Sequence, residues 1–195
     1  METDDIMGND YPETLKGQFL ISMPGMADPN FASTVTGICE HTTDGAIGLV
    51  INRVHDAVSC KEIFDELDID HTAAAGRMPV HIGGPVHLNE LFILHGPPFG
   101  WDGCLMIDDD LAMSNTPDIL EAIAGERGPE LALVVIGCAG WGPLQLESEI
   151  RDNAWISGPL SPEIIFEAAV KDRWKMALRR LGIDPALLSD TAGHA

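Results

Sequence analysis

Apolar positions along this chain come mostly in short runs set off by glycine and proline, the pattern of strands rather than of long helices. Residues 17–22 (GQFLIS) predict a first strand, closed by Pro24, Gly25 and Pro29. Residues 34–41 (TVTGICEH) and 46–52 (AIGLVIN) predict two more, joined through Thr42-Thr43-Asp44-Gly45. Both Asp and Gly tolerate positive φ, so this connection predicts a tight hairpin. Residues 79–82 and 90–94 predict strands around the turn Gly83-Gly84-Pro85. Residues 104–107 and 111–113 give two weaker ones, with Asp108, Asp109 and Asp110 between them. Residues 131–136 (LALVVI) are apolar on both faces, as a central buried strand requires. They run into Gly137, Gly140, Gly142 and Pro143, which predict a glycine-rich turn before a helix over 144–151.

Helical signals are fewer but well bracketed. Ser59 and Glu62 have capping-box spacing, followed by the apolar stripe Ile63, Phe64 and Leu67. Thr116, Pro117 and Gly125 bracket another helix. A last one is expected from the cap Ser161 and Pro162 through Phe166, Val170, Trp174, Leu178 and Leu181, stopped by Gly182, with Ile183 and Pro185 beyond. The hairpin and the irregular placement of helices exclude a regular doubly wound sheet. The expected fold class is α+β: a mixed, largely antiparallel curved sheet or pseudo-barrel with helices packed outside. No repeat or linker divides the chain, so one domain over residues 15–188 is expected, between a flexible acidic tail (1–14) and a short C-terminal tail (189–195).

Charge narrows the partners. Thirty-one Asp and Glu against 11 Lys and Arg give a net charge of −20, which repels nucleic acid and anionic lipid at long range. Lys171, Arg173, Lys175, Arg179 and Arg180 cluster on the last helix, where a solvated face explains them better than an anion patch. Met1 is followed by acidic residues rather than a secretory leader. The longest uncharged apolar run, 131–141, is too short to cross about 30 Å of hydrocarbon. No membrane association and a cytoplasmic location are therefore expected. Cys39, Cys60, Cys104 and Cys138 are scattered without a CxxC pair, consistent with reduced thiols rather than a disulfide framework or zinc site.

Two places carry candidate chemistry. Cys39 and His41 lie two apart on one expected strand face, about 7 Å from each other at the backbone. An imidazolium there can stabilise a thiolate, and the hairpin brings Asn52 and the cation Arg53 near. The competing reading is a buried Cys39 and a hydrogen-bonded strand end at His41. The second place is the GCAGWGP segment, where Gly140, Trp141 and Gly142 precede a helix start whose free amides can cradle an anion, with Gln145 and Glu147 on the next turn. Its G-x-x-G-x-G spacing is neither a dinucleotide fingerprint nor a P-loop, and a structural turn that seats Trp141 is the competing reading. His41, His81, His87 and His95 show no H-E-x-x-H pairing, and the Asp108–Asp110 run lacks the EF-hand pattern, so no metal and no cofactor are expected. There is no G-x-S-x-G elbow to start a hydrolase triad.

Taken in order, several segments resemble the YqgE/AlgH family of bacterial proteins. They include Met23-Pro24, Asp28-Pro29 with Phe31, Cys39-Glu40-His41, Gly48 to Arg53, Gly83-Gly84-Pro85-Val86 and Leu91-Phe92 to His95. The resemblance continues through Gly137, Ala139-Gly140-Trp141-Gly142-Pro143, Gln145-Leu146-Glu147, Trp155, Arg173-Trp174 and Leu181-Gly182. Leu144 departs from the family pattern, which has a second glycine there, and His81 stands where tyrosine is typical. The resemblance implies a compact cytosolic α/β fold with a pseudo-barrel sheet and no settled enzymatic activity, and one branch is associated with the regulation of alginate production. The expected function is a non-enzymatic regulatory or binding protein for a small ligand or protein partner, through a cleft near Cys39, His41, Asn52, Arg53, Gly83, Gly84 and His95. The alternatives are a redox sensor or enzyme using the Cys39 thiol, and a transcriptional regulator, for which the charge argues against direct DNA contact.

Overall fold

The computed structural model describes residues 14–188, so both expected tails fall almost wholly outside the described residues. Ten strands form one curved, mostly antiparallel sheet: β1 (Gln18–Ser22), β2 (Val35–Thr42), β3 (Gly45–Val50), β4 (Val54–Ser59), β5 (Pro79–Ile82), β6 (Val86–His95), β7 (Leu105–Met106), β8 (Ala112–Ser114), β9 (Ala132–Trp141) and β10 (Trp155–Pro159). The main path runs β10-β1-β2-β3-β9-β6-β8-β7, and β5 joins β4 to β9. The β5–β9 pairing is parallel and the others are antiparallel. The α+β half-barrel with external helices is the expected class.

The 42–45 hairpin forms as its Asp-Gly signal predicts, pairing Thr42 with Gly45 and His41 with Ala46. Gly45 has φ +131, and a Cβ there would lie 2.1 Å from the Trp141 carbonyl oxygen. Only glycine permits β3 to approach β9 so closely.

Three apolar clusters follow from the curvature. Phe19, Ile21, Val35, Leu49, Ile51, Leu94 and Val135 fill the interior with Ile164, Ile165 and Leu178. On the outer face of β6 and β9, Ile93 and Val134 pack with Phe64 from α1 (Cys60–Glu66) and with Ile119, Leu120 and Ile123 from α3 (Pro117–Ala124). The short α2 (Ala73–Gly76) adds Ala75 to this layer. On the outer face of β1–β2–β3, Leu20, Ile38 and Ala46 pack with Trp141, Trp155 and Leu146 of α4 (Gln145–Arg151). Each fully buried leucine or isoleucine contributes about 1.5–3 kcal/mol, so truncating one of these anchors costs a substantial part of domain stability.

Three expectations need correction. β9 does not stop at Ile136 but continues through the glycines to Trp141, with a register break opposite Val86–Leu91 and φ +70 at Gly137. That bulge shifts the facing by one residue: Val135 and Cys138 both face the interior, and Ala139 and Trp141 face outward. Secondly, residues 79–82 and 90–94 do not pair with each other, because both flank β9. Thirdly, the last helix is broken. A π-helical turn (Glu163–Glu167) ends in extended Ala168 and Ala169, with ψ 139° and 134°, before α5 (Arg173–Arg180) begins. Arg173 is buried rather than solvated: its Nε donates to the Ala168 carbonyl at 3.2 Å, and Nη1 donates to that of Ile51. The other four cations of the cluster are exposed.

Candidate functional site

The sulfur, imidazole and guanidinium expected along one wall do not share it. Pairing of β2 with β3 breaks between Ile38 and Glu40, so Cys39 sits in a bulge and the facing of later residues is shifted by one. The Cys39 side chain enters the interior cluster and is fully buried, whereas His41, paired with Ala46, faces outward towards α4. Burial, with a smaller contribution from Cys138, pushes the Cys39 thiol up to about 12. Both the burial and the raised pKa favour the competing reading, a buried Cys39, over a reactive thiol. His41 Nδ1 accepts from the Leu15 amide at 2.9 Å, so the proton must reside on Nε2, which donates to Glu147 at 3.0 Å. Asn52 and Arg53 have a third role. The Asn52 amide holds the Val35 amide and the Ser33 carbonyl (2.8 and 2.9 Å), and Arg53 Nη2 donates to the carbonyls of Pro29 and Ala32, both at 2.9 Å. They pin the loop between β1 and β2.

Two further candidates prove structural. The Gly83 amide donates to Ile136 and its carbonyl accepts from Val50, at 2.8 and 2.9 Å. A Cβ would lie 2.2 Å from the Gly137 carbonyl at Gly83, and 2.4 Å from Cys138 backbone at Gly84. These glycines permit the close backbone crossing of β9. His95 is buried. Its Nδ1 donates to the Gly96 carbonyl at 2.7 Å, which leaves Nε2 to accept from the Ser114 hydroxyl at 2.9 Å. Burial lowers its pKa.

The GCAGWGP segment, by contrast, borders an open cleft of about 590 Å³. One wall is the pinned loop, from Met23 through Asp28 to Phe31. The other is the end of β9, the face of α4 and the start of β10, with Gly140, Trp141, Gln145, Glu149, Asp152 and Trp155. Phe31 stacks on Trp141 at 6.0 Å between ring centroids and meets Trp155 edge-on at 5.4 Å. Glu149 organises the floor: its Oε2 accepts both indole N–H groups, from Trp141 at 2.9 Å and Trp155 at 2.8 Å. Its Oε1 accepts from Gln145 Nε2 at 2.9 Å, while Gln145 Oε1 accepts from the Gly142 amide at 3.0 Å. Gly140, Trp141 and Gln145 thus line one cleft, Gly142 supports them from behind, and Glu147 belongs to the neighbouring His41 contact.

Asp28, Phe31, Glu149, Asp152 and Trp155 were not singled out as site residues from the sequence. The available signal was the i, i+4 spacing of Gln145 and Glu149, which puts both on one helix face. No group of three or more His, Cys, Asp or Glu side chains placed to hold a metal ion occurs among the described residues. Nor is any helix there long and apolar enough to cross a membrane.

Fold and site together define a half-barrel α+β protein with an acidic, aromatic-floored cleft on the outside of its sheet. The chain belongs to the AlgH-like family (DUF179), whose model matches residues 19–186. A UPF0301 protein of Desulforapulum autotrophicum is 52% identical over 181 residues, spanning 93% of this chain and 96% of the relative. A UPF0301 protein of Rhodospirillum rubrum is 44% identical over 181 residues, spanning 93% and 94%. The solution structure of the AlgH protein from Pseudomonas aeruginosa superposes with a TM-score of 0.78 at 42% identity, covering 97% of this chain and all of that one. A crystal structure from Corynebacterium diphtheriae, 24% identical with a TM-score of 0.71 over 93% and 92% of the two chains, shares the fold.

Proposed function

We propose that this protein is a non-enzymatic recognition protein that binds a small ligand in the cleft between the 23–31 loop and α4. The observation that carries the reading is the Glu149 carboxylate, held by two indoles and an amide in an open cavity of about 590 Å³. A volume of that size suits a small molecule. The site is also preorganised: Asn52 and Arg53 fix one wall, and the Gly142–Gln145–Glu149 relay fixes the other, so little ordering cost falls on binding. Among the described residues, the partners of Glu149 are two indoles and an amide rather than a nucleophile or a proton-relaying histidine, which favours recognition over catalysis. The overall charge of −20 further favours a partner other than nucleic acid.

An NMR screen of the full chain against a diverse fragment library, read through backbone amide shifts, tests the proposal. Shifts should concentrate at residues 23–31 and 140–155. Phe31→Ala should weaken those hits about fivefold or more, the scale of losing one aromatic contact. Hits gathering elsewhere, or affinities unmoved by Phe31→Ala, overturn it.

A further inference from the structure

We infer that the cleft is selective for a small organic cation with an apolar body, such as an alkylammonium or alkylguanidinium; this rests on the cleft being the binding site. Among the described residues, three carboxylates line it, from Asp28, Glu149 and Asp152, and no lysine, arginine or histidine does. None of the three forms an ion pair among the described residues. The chain's overall acidity would scatter carboxylates over any surface, so the count alone decides little. Glu149 decides it.

A carboxylate offers about four lone-pair positions, two on each oxygen. Glu149 Oε2 uses both of its positions on the Trp141 and Trp155 indoles, and Oε1 uses one on Gln145. Among the described residues, no donor reaches the remaining acceptor position on Oε1. All three donors are neutral, so the negative charge is oriented but not compensated. It is also half-buried, where a charge interacts more strongly than at a fully wetted surface. A ligand N⁺–H can donate to that position and supply a compensating charge, a pairing stronger than a neutral hydrogen bond. An anionic ligand would meet three uncompensated negative charges.

The rest of the cavity describes the ligand's body. Met23, Met26 and Phe31 line the loop side, and unbranched thioethers with an aromatic ring adapt to an alkyl or aryl chain. Asp28 and Asp152 are exposed at the rim, placed to attract a cation before it reaches Glu149. The inferred pose puts the charged head on Glu149 and the carbon chain against the methionines.

Three probes of one shape, hexylammonium, hexanol and hexanoate, test the charge selectivity on the full chain. The readout is the Trp141 and Trp155 indole N–H NMR signals, assigned through Trp→Phe variants. Hexylammonium should shift both signals saturably, and hexanol should bind about tenfold more weakly, as expected for losing a charge-assisted bond. Hexanoate should leave them unmoved. Asp152→Asn, on an exposed rim residue, should weaken hexylammonium about two- to fivefold while leaving the ligand-free indole signals in place. If hexanol or hexanoate matches hexylammonium, the cation inference is overturned and the cleft stands as a binding site. If none of the three moves the indole signals, both the inference and the site are overturned.

Discussion

On one side of the β1–β2–β3 ladder lies a closed interior and on the other an open cleft, and polar groups of similar kind behave differently in the two. Inside, Cys39, His81 and Arg173 are each nearly or fully buried, and among the described residues Arg173 has no carboxylate partner, its donors resting on carbonyls of Ile51 and Ala168. Outside, Glu149 is oriented at the cleft by two indoles and an amide, while the His41 imidazole, itself covered, bridges the Leu15 amide and Glu147. Desolvation raises the Cys39 thiol pKa and lowers that of the His81 imidazole in the first region, disfavouring their charged forms, whereas Glu149 in the second is oriented at an open cleft. Reactivity is therefore expected only where the second condition holds.

The sharpest break of this contrast is at Cys39. With its thiol pushed up to about 12 from an ordinary value near 9, the thiolate fraction at neutral pH falls about a thousandfold, before any loss of access. Brief alkylation of the folded chain, read by mass spectrometry, should leave Cys39, Cys60 and Cys138 unmodified. Any early label should fall on Cys104, which is only half-buried. Rapid labelling of Cys39 in the native protein would erase the distinction between the two regions.

His81 offers a smaller effect with a defined sign. Burial, and then the Arg173 guanidinium with Nη1 at 3.4 Å, push its pKa from 6.5 down to about 4. Between those values the unfolded chain takes up a proton that the folded chain refuses. Stability should therefore be intact above about pH 6.5, fall as pH drops towards 4, and level off below that. The loss attached to His81 is about 3 kcal/mol. His95, also lowered by burial, adds in the same direction. Urea unfolding of His81→Phe at pH 7 and pH 4.5 should show a visibly shallower acid loss than the parent. Equal slopes would mean that His81 is not the interior group refusing the proton.

Elements whose cause is local were legible in the sequence. The 42–45 hairpin follows from Asp44-Gly45, α3 from Thr116-Pro117, and the contact of Glu62 with the Ser59 amide at 2.8 Å from their spacing. What escaped depends on partners distant in sequence. The bulge at Cys39 is fixed by how β2 meets β3, and without it Cys39 and His41 would share a face, as simple alternation implies. Glycines read as punctuation at 137 and 140 turned out to be strand positions, because β3, β5 and β6 need close approach to β9. The two alanines that break the last helix are good helix formers. The break there depends on a π turn and an arginine side chain, neither of which leaves a local signal. Glu149 went unnoticed for the same reason, since its partners Trp141 and Trp155 come from two different strands.

Leu144 lies where these two kinds of information meet, and it carries the smallest predicted effect. It precedes the helix that positions Gln145 and Glu149, and it is held in the left-handed conformation at φ 60°, ψ 4°. A leucine there strains its Cβ against the backbone by about 1–2 kcal/mol, and at 70% exposure it regains little by packing. Glycine relieves the strain but returns about 0.5–1 kcal/mol through the extra freedom of the unfolded chain. Leu144→Gly should thus stabilise the domain by about 0.5–1 kcal/mol, raising Tm by about 2 °C for a chain of this size. Leu144→Ala separates the causes, because it removes the same exposed apolar surface while keeping a Cβ. A gain in the glycine variant alone assigns the effect to the backbone. Equal gains in both variants assign it to the surface and leave the left-handed turn unstrained.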